Sequence, residues 1–122
     1  MKNVLLSLST LAALTLSVSA GAECIYPKAS AEIPDGATAT QEQIVTAMNA
    51  VKKYNTDINA YISCLEMESE SQIAAIQDPK PEQIKQIKSI QTSKHNAAVD
   101  ELEKYATRFN AQLKAYKAKN PG

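Results

Sequence analysis

Apolar residues recur at spacings of three and four from Ile44 onward: Ile44, Met48, Val51, Ile58, Ile62, Leu65 and Ile76. Polar residues hold the register at Asn55, Ser69 and Gln72, and Ile73 widens the stripe near its end. This is the period of an amphipathic α-helix. Thr40-Gln41-Glu42-Gln43 just before it fits a capping box, with Thr40 as N-cap and Gln43 reaching back. No Pro or Gly interrupts Thr40 to Gln77. A second stripe runs Ile84, Ile87, Ile90, then a polar stretch from Gln91 to Asn96, then Ala98, Leu102, Tyr105, Phe109, Leu113 and Tyr116. Asp78-Pro79-Lys80-Pro81-Glu82 separates the two. Pro79 stops the first helix, and Pro81 suits the first turn of the second, where its missing N–H costs nothing.

Two helices are expected, at about 40–77 and 81–119, each roughly 57 Å long at 1.5 Å per residue. The short connector makes them antiparallel neighbours. Folding about Lys80 sets residue i opposite roughly 160 − i, which tests the proposal against the sequence itself. Ile76 then faces Ile84, Ile73 faces Ile87, Ser69 faces Gln91, Ile58 faces Leu102 and Val51 faces Phe109. Apolar meets apolar towards both ends and polar meets polar in the middle. Opposite charges also fall near one another: Glu66 near Lys94, Glu70 near Lys88, Asp57 near Lys104. The fold class expected is all-α: a long, coiled-coil-like antiparallel hairpin over residues 40–122.

Residues 23–39 show no helical period and contain Pro27, Pro34 and Gly36. Ile33-Pro34-Asp35-Gly36 reads as a turn, with Pro presetting φ and Gly free to take φ > 0. The segment is an extended N-terminal arm.

Before the arm, Lys2 is followed by an apolar run from Val4 to Val18 and by small residues up to Ala22. Residues 1–22 read as a secretory signal peptide, cleaved after Ala22 or, less favoured, Ala20. The run is too short and too rich in Ser and Thr for a transmembrane helix of roughly 20 apolar residues. Glu23 stands where lipoprotein processing at Cys24 would need a small residue. An exported chain with no stable membrane insertion after signal cleavage is expected, periplasmic or secreted.

Export changes the meaning of Cys24 and Cys64, the only two cysteines. An even count in an oxidising compartment argues for a disulfide, against the alternatives of free thiols or a bridge between chains. Geometry permits the intramolecular bond. Cys64 lies about 36 Å up the first helix from Thr40, and the arm can span about 50 Å. A bond there would staple the arm along the helix.

Without Lys2 the chain carries 12 basic and 13 acidic residues, a net charge of −1. No field draws it to nucleic acid. There is no Trp and only one Phe, so the core is thin. The sequence holds no phosphate loop, zinc spacing or nucleophile motif, which argues against an enzyme and against any bound cofactor or metal. His95, the lone histidine, reads as a polar residue in a polar helix middle. Glu66, Glu68 and Glu70 read as a solvated face rather than a cation site. Tyr54, Tyr61, Tyr105 and Tyr116 read as packing, with a partner-binding stripe as the alternative.

The run Cys24-Ile25-Tyr26-Pro27, the turn Ile33-Pro34-Asp35-Gly36-Ala37 and the segment Tyr61-Ile62-Ser63-Cys64-Leu65-Glu66 resemble a family of small uncharacterised secreted proteins of Gram-negative bacteria. The resemblance covers about residues 24–68. It rests on a cysteine followed by prolines, a Pro-Asp-Gly turn and a helix with a Tyr-x-x-Cys-Leu pattern. It implies a periplasmic or secreted helical protein and no particular activity.

Two functional expectations follow. The first is a non-enzymatic protein acting by contact with an envelope partner or with a second copy of itself as a homodimer. Val45, Tyr54, Tyr61, Ile90 and Val99 are its candidate surface. The second is a small-ligand or metal-ion carrier that uses the polar centre around Glu66, Ser69, Gln91 and His95.

Overall fold

The structure is a computed structural model, and it describes residues 23–122. The signal-peptide reading of residues 1–22 lies outside them. Two helices make up the described chain: α1 (Gln41–Ala74) and α2 (Pro81–Lys119). They pack against each other as a hairpin, and no described residue is in a strand.

The capping box forms as the sequence indicates. Gln43 N donates to Thr40 Oγ1 at 3.2 Å, and Thr40 N donates to Gln43 Oε1 at 2.8 Å. Two of the unsatisfied amides at the helix start are thereby used. At the start of α2, Lys80 N donates to Gln83 Oε1 at 2.9 Å and Pro81 occupies the first turn.

α1 ends at Ala74, three residues before the expected Gln77. Pro79 excludes the helical region for the residue before it. Asp78 instead takes a positive φ of 56°, and the chain reverses across residues 75–80. Asp is among the few non-glycine residues that tolerate this region.

The expected register is the observed one. The Ser69 hydroxyl donates to Gln91 Oε1 at 2.9 Å, and these numbers sum to 160. The rings of Tyr54 and Tyr105 meet edge to face at 5.3 Å, one position from the same register. The ion pairs drawn from that register do not form. Among the described residues the one ion pair is Lys53–Asp57, within α1. Glu66, Glu70, Lys88, Lys94 and Lys104 are all exposed. An exposed pair gains at most about 1 kcal/mol, which is offset by ordering two long side chains.

The arm forms a third layer over half the hairpin. Cys24 is bonded to Cys64 with Cα atoms 5.8 Å apart, closing a sequence separation of 40. From there the arm runs antiparallel to α1. Tyr26 meets Tyr61 edge to face at 5.1 Å, and Ala31 O accepts from the Tyr105 hydroxyl at 2.5 Å. Gly36 N donates to Gln112 Oε1 at 2.8 Å. The core lies beneath it: Tyr54, Ile58, Tyr61, Leu65, Ala98 and Tyr105, with Cys24 and Ile33 packed against them.

The distal half of the hairpin has no such cover. Past Ser69 on α1, and before Ala98 on α2, no residue is buried. Ile73, Ile76, Ile84 and Ile87 are half-buried there. Two helices alone shield one seam and leave both flanks wet, so the presence or absence of the arm decides where the core sits.

Candidate functional site

The polar centre is closed. Ser69 is buried and its hydroxyl is spent on Gln91 and on the Glu66 carbonyl, each at 2.9 Å. The space between Ser69, Gln91, Ile87 and Ile90 is about 20 Å³, room for one water. Among the described residues no three His, Cys, Asp or Glu side chains converge to hold a metal ion. The polar groups at this site satisfy each other.

The candidate interaction surface divides. Ile90 is 52% exposed and Val45 is also exposed, on a different part of the hairpin. Val99 is half-buried. Tyr54 and Tyr61 are 3% and 8% exposed, which removes them from an outer contact surface. Tyr61 is covered from a direction that a two-helix reading omits, and Tyr54 from α2. Tyr26 of the arm lies on Tyr61, and Tyr54 packs on Tyr105 beneath the arm.

Three exposed apolar residues were not expected, and Tyr26, which packs on Tyr61, is the least open of them. Ile25 is 88% exposed and Met67 is 62% exposed. Ile25 follows the stapled Cys24. Met67 is one turn beyond Cys64, and Ile90 stands opposite residue 70. Ile25, Met67 and Ile90 lie within about 9 Å along the hairpin axis, near the level of the disulfide, where the covered half gives way to the bare half. Met67 carried a sequence signal: it is the one apolar residue within the run Glu66 to Glu70. Ile25 carried none, because the arm has no period.

A second feature lies under the arm. Tyr26 sits at the level of Tyr61 and Ala31 at the level of Tyr105, which faces residue 55. That is a climb of about 9 Å, whereas five extended residues reach about 17 Å. The slack bows outward, and residues 28–30 are exposed. A cleft of about 880 Å³ remains between the arch and α2, lined by Tyr26, Lys28, Glu101, Tyr105 and Arg108 among others. The Arg108 guanidinium lies 5.8 Å from the centre of the Tyr105 ring, a cation–π distance.

Comparison with known protein families, with characterised proteins and with solved structures gives no match for this chain.

The tyrosines flooring the cleft are electrostatically tuned. Burial pushes the Tyr54 hydroxyl up to about 12, helped by the neighbouring Tyr26 hydroxyl and by the Glu101 carboxylate. Burial also raises Tyr105, with Arg108 opposing. An unfolded tyrosine titrates near 10. Between pH 10 and 12 the folded chain holds a proton that the unfolded chain has lost, so this contribution to stability is intact below pH 10 and declines as pH rises through 12. Alkaline titration, following tyrosinate absorbance together with circular dichroism, is expected to show the last tyrosine ionising only as the helices melt. Five tyrosines ionising together near pH 10 with helicity intact would contradict this.

Proposed function

We propose that this is a non-enzymatic exported protein of the cell envelope that acts by binding another protein through the apolar group of Ile25, Met67 and Ile90. The observation that carries the reading is their grouping. Of the five large apolar side chains exposed among the described residues, all but Val45 lie towards the disulfide, with Tyr26 turned onto Tyr61, and grouped exposed apolar side chains mark contact sites. Their banks carry opposite charges: Glu66, Glu68 and Glu70 on α1, Lys88 and Lys94 on α2. No ion pair within the described chain claims these charges, which leaves them to steer and orient a partner. The signal-like leader and the resemblance to small secreted Gram-negative proteins support the envelope as its place. The bonded state of both cysteines supports a non-enzymatic role, since it removes the one thiol near His95 as a nucleophile.

A photo-activated cross-linker at position 25, introduced in the exporting cell, tests the proposal. A discrete adduct is expected there and not from position 45. An adduct of twice the chain mass would identify the homodimer, and any other discrete mass an envelope partner. Met67→Glu with Ile90→Glu is expected to leave the melting curve unchanged and weaken the adduct at least about tenfold, because each buried side chain is worth about 1.5–3 kcal/mol. Equal labelling from positions 25 and 45 would refute this surface.

A further inference from the structure

We propose that the cleft under the arm is a second binding site, for the free ends of a short peptide of about three residues. It does not rest on that surface. Three observations carry it.

The first is the spacing of charge on α2. Glu101, Tyr105 and Arg108 all line the cleft, and their i, i+4, i+7 spacing places them in a row on one helix face. The carboxylate and the guanidinium are attached about 10 Å apart along the axis, seven residues at 1.5 Å. An extended peptide advances about 3.4 Å per residue, so a tripeptide spans the same length. Its ammonium end fits Glu101 and its carboxylate end fits Arg108, the side chain that forks to match a carboxylate.

The second is that neither charge is held in an ion pair, Arg108 resting near the Tyr105 ring alone. The one ion pair among the described residues, Lys53–Asp57, lies elsewhere on α1. Lys28 and Glu32 of the arch add one further charge of each sign to the lining. A rim of two cations and two carboxylates disfavours a polyanion such as a phosphate ester. It suits a zwitterion.

The third is the arch itself. No backbone–backbone hydrogen bond involves residues 24–34. In this stretch the Ala31 carbonyl, held by the Tyr105 hydroxyl, is the backbone group with a side-chain partner. The remaining N–H and C=O groups are free to pair with an extended ligand, as in strand addition. Tyr26, partly exposed and part of the cleft lining, adds apolar surface for a middle side chain.

The test is a nuclear magnetic resonance titration of the oxidised exported protein with Ala-Leu-Ala carrying free ends, N-acetylated, or C-amidated. Amide shifts are expected in residues 26–33 and 101–108. Capping either end, or Arg108→Gln or Glu101→Gln, is expected to weaken binding about three- to tenfold, the range for a solvent-exposed charge-assisted contact. The decisive readout is the pairing. C-amidation should cost nothing further in Arg108→Gln, and N-acetylation nothing further in Glu101→Gln. Additive losses, equal binding of free and capped peptides, or no shifts in the cleft would each overturn the proposal. These outcomes are independent of cross-linking at position 25.

Discussion

Cys24→Ser is expected to lower the melting temperature of the chain from residue 23 onward by about 15–20 °C, from a loss of about 3–4 kcal/mol in a domain of this size. The cross-link closes a separation of 40 residues between the start of the arm and the middle of α1. Without it the unfolded chain regains the freedom of that loop, while the folded chain gains nothing. The arm covers Tyr61, and it meets α1 through few contacts near its start: the disulfide and the Tyr26 ring on Tyr61. Freed at Cys24, it should fray back to Ala31, where the Tyr105 hydroxyl holds it. Helicity at low temperature should survive, because the Ile58 core seam belongs to the two helices. Thermal melts by circular dichroism, with and without reductant, provide the check. Reductant should reproduce the effect in the natural chain and add nothing to Cys24→Ser. A variant melting within a few degrees of the natural chain would show the staple to be ornamental, and the arm to be held by packing alone.

Much of this fold was legible because it depends on periodic burial. The helices, the capping box, the two prolines at the turn and the register through Ser69 and Gln91 follow from spacings of three, four and their mirror about Lys80. The staple was legible from cysteine parity and reach. What escaped belongs to the arm. An extended chain packs by local shape, so no repeat shows that Tyr26 covers Tyr61 or that Tyr105 bonds Ala31. The spacing of Tyr54 and Tyr61 fits packing as well as a contact surface, and their burial decides for packing, with Tyr26 of the arm over Tyr61. The expected cross-hairpin ion pairs failed for a different reason. Register brings Cα positions together, but the ends of exposed Lys and Glu side chains are set by solvent. The cleft was out of reach because it arises from chain slack, a mismatch between arm length and helical climb.

The turn glycine carries the second large effect. Its placement at Ile33-Pro34-Asp35-Gly36 suggested a need for positive φ, yet among the described residues positive φ occurs only at Asp78 and Gly122. Gly36 is required for closeness. A Cβ built there would stand 1.8 Å from the Gln112 carbonyl oxygen, 2.7 Å from its carbon and 2.9 Å from Tyr116 N. All three are backbone atoms of α2, which no side-chain rotation can move. Gly36→Ala must therefore lift the arm from the helix and break the 2.8 Å bond from Gly36 N to Gln112 Oε1. Overpacking of this kind costs about 1–3 kcal/mol and the lost bond about 1 more. A drop of about 10–20 °C in melting temperature is expected, with faster amide exchange over the turn. Gly36→Asn separates the two explanations. Asn tolerates positive φ better than Ala, so it would be the milder change if conformation were the reason. Contact with α2 makes it the harsher one, since the added atoms enter the same occupied space. Asn melting above Ala would restore the conformational reading and remove the close approach as the anchor of the arm.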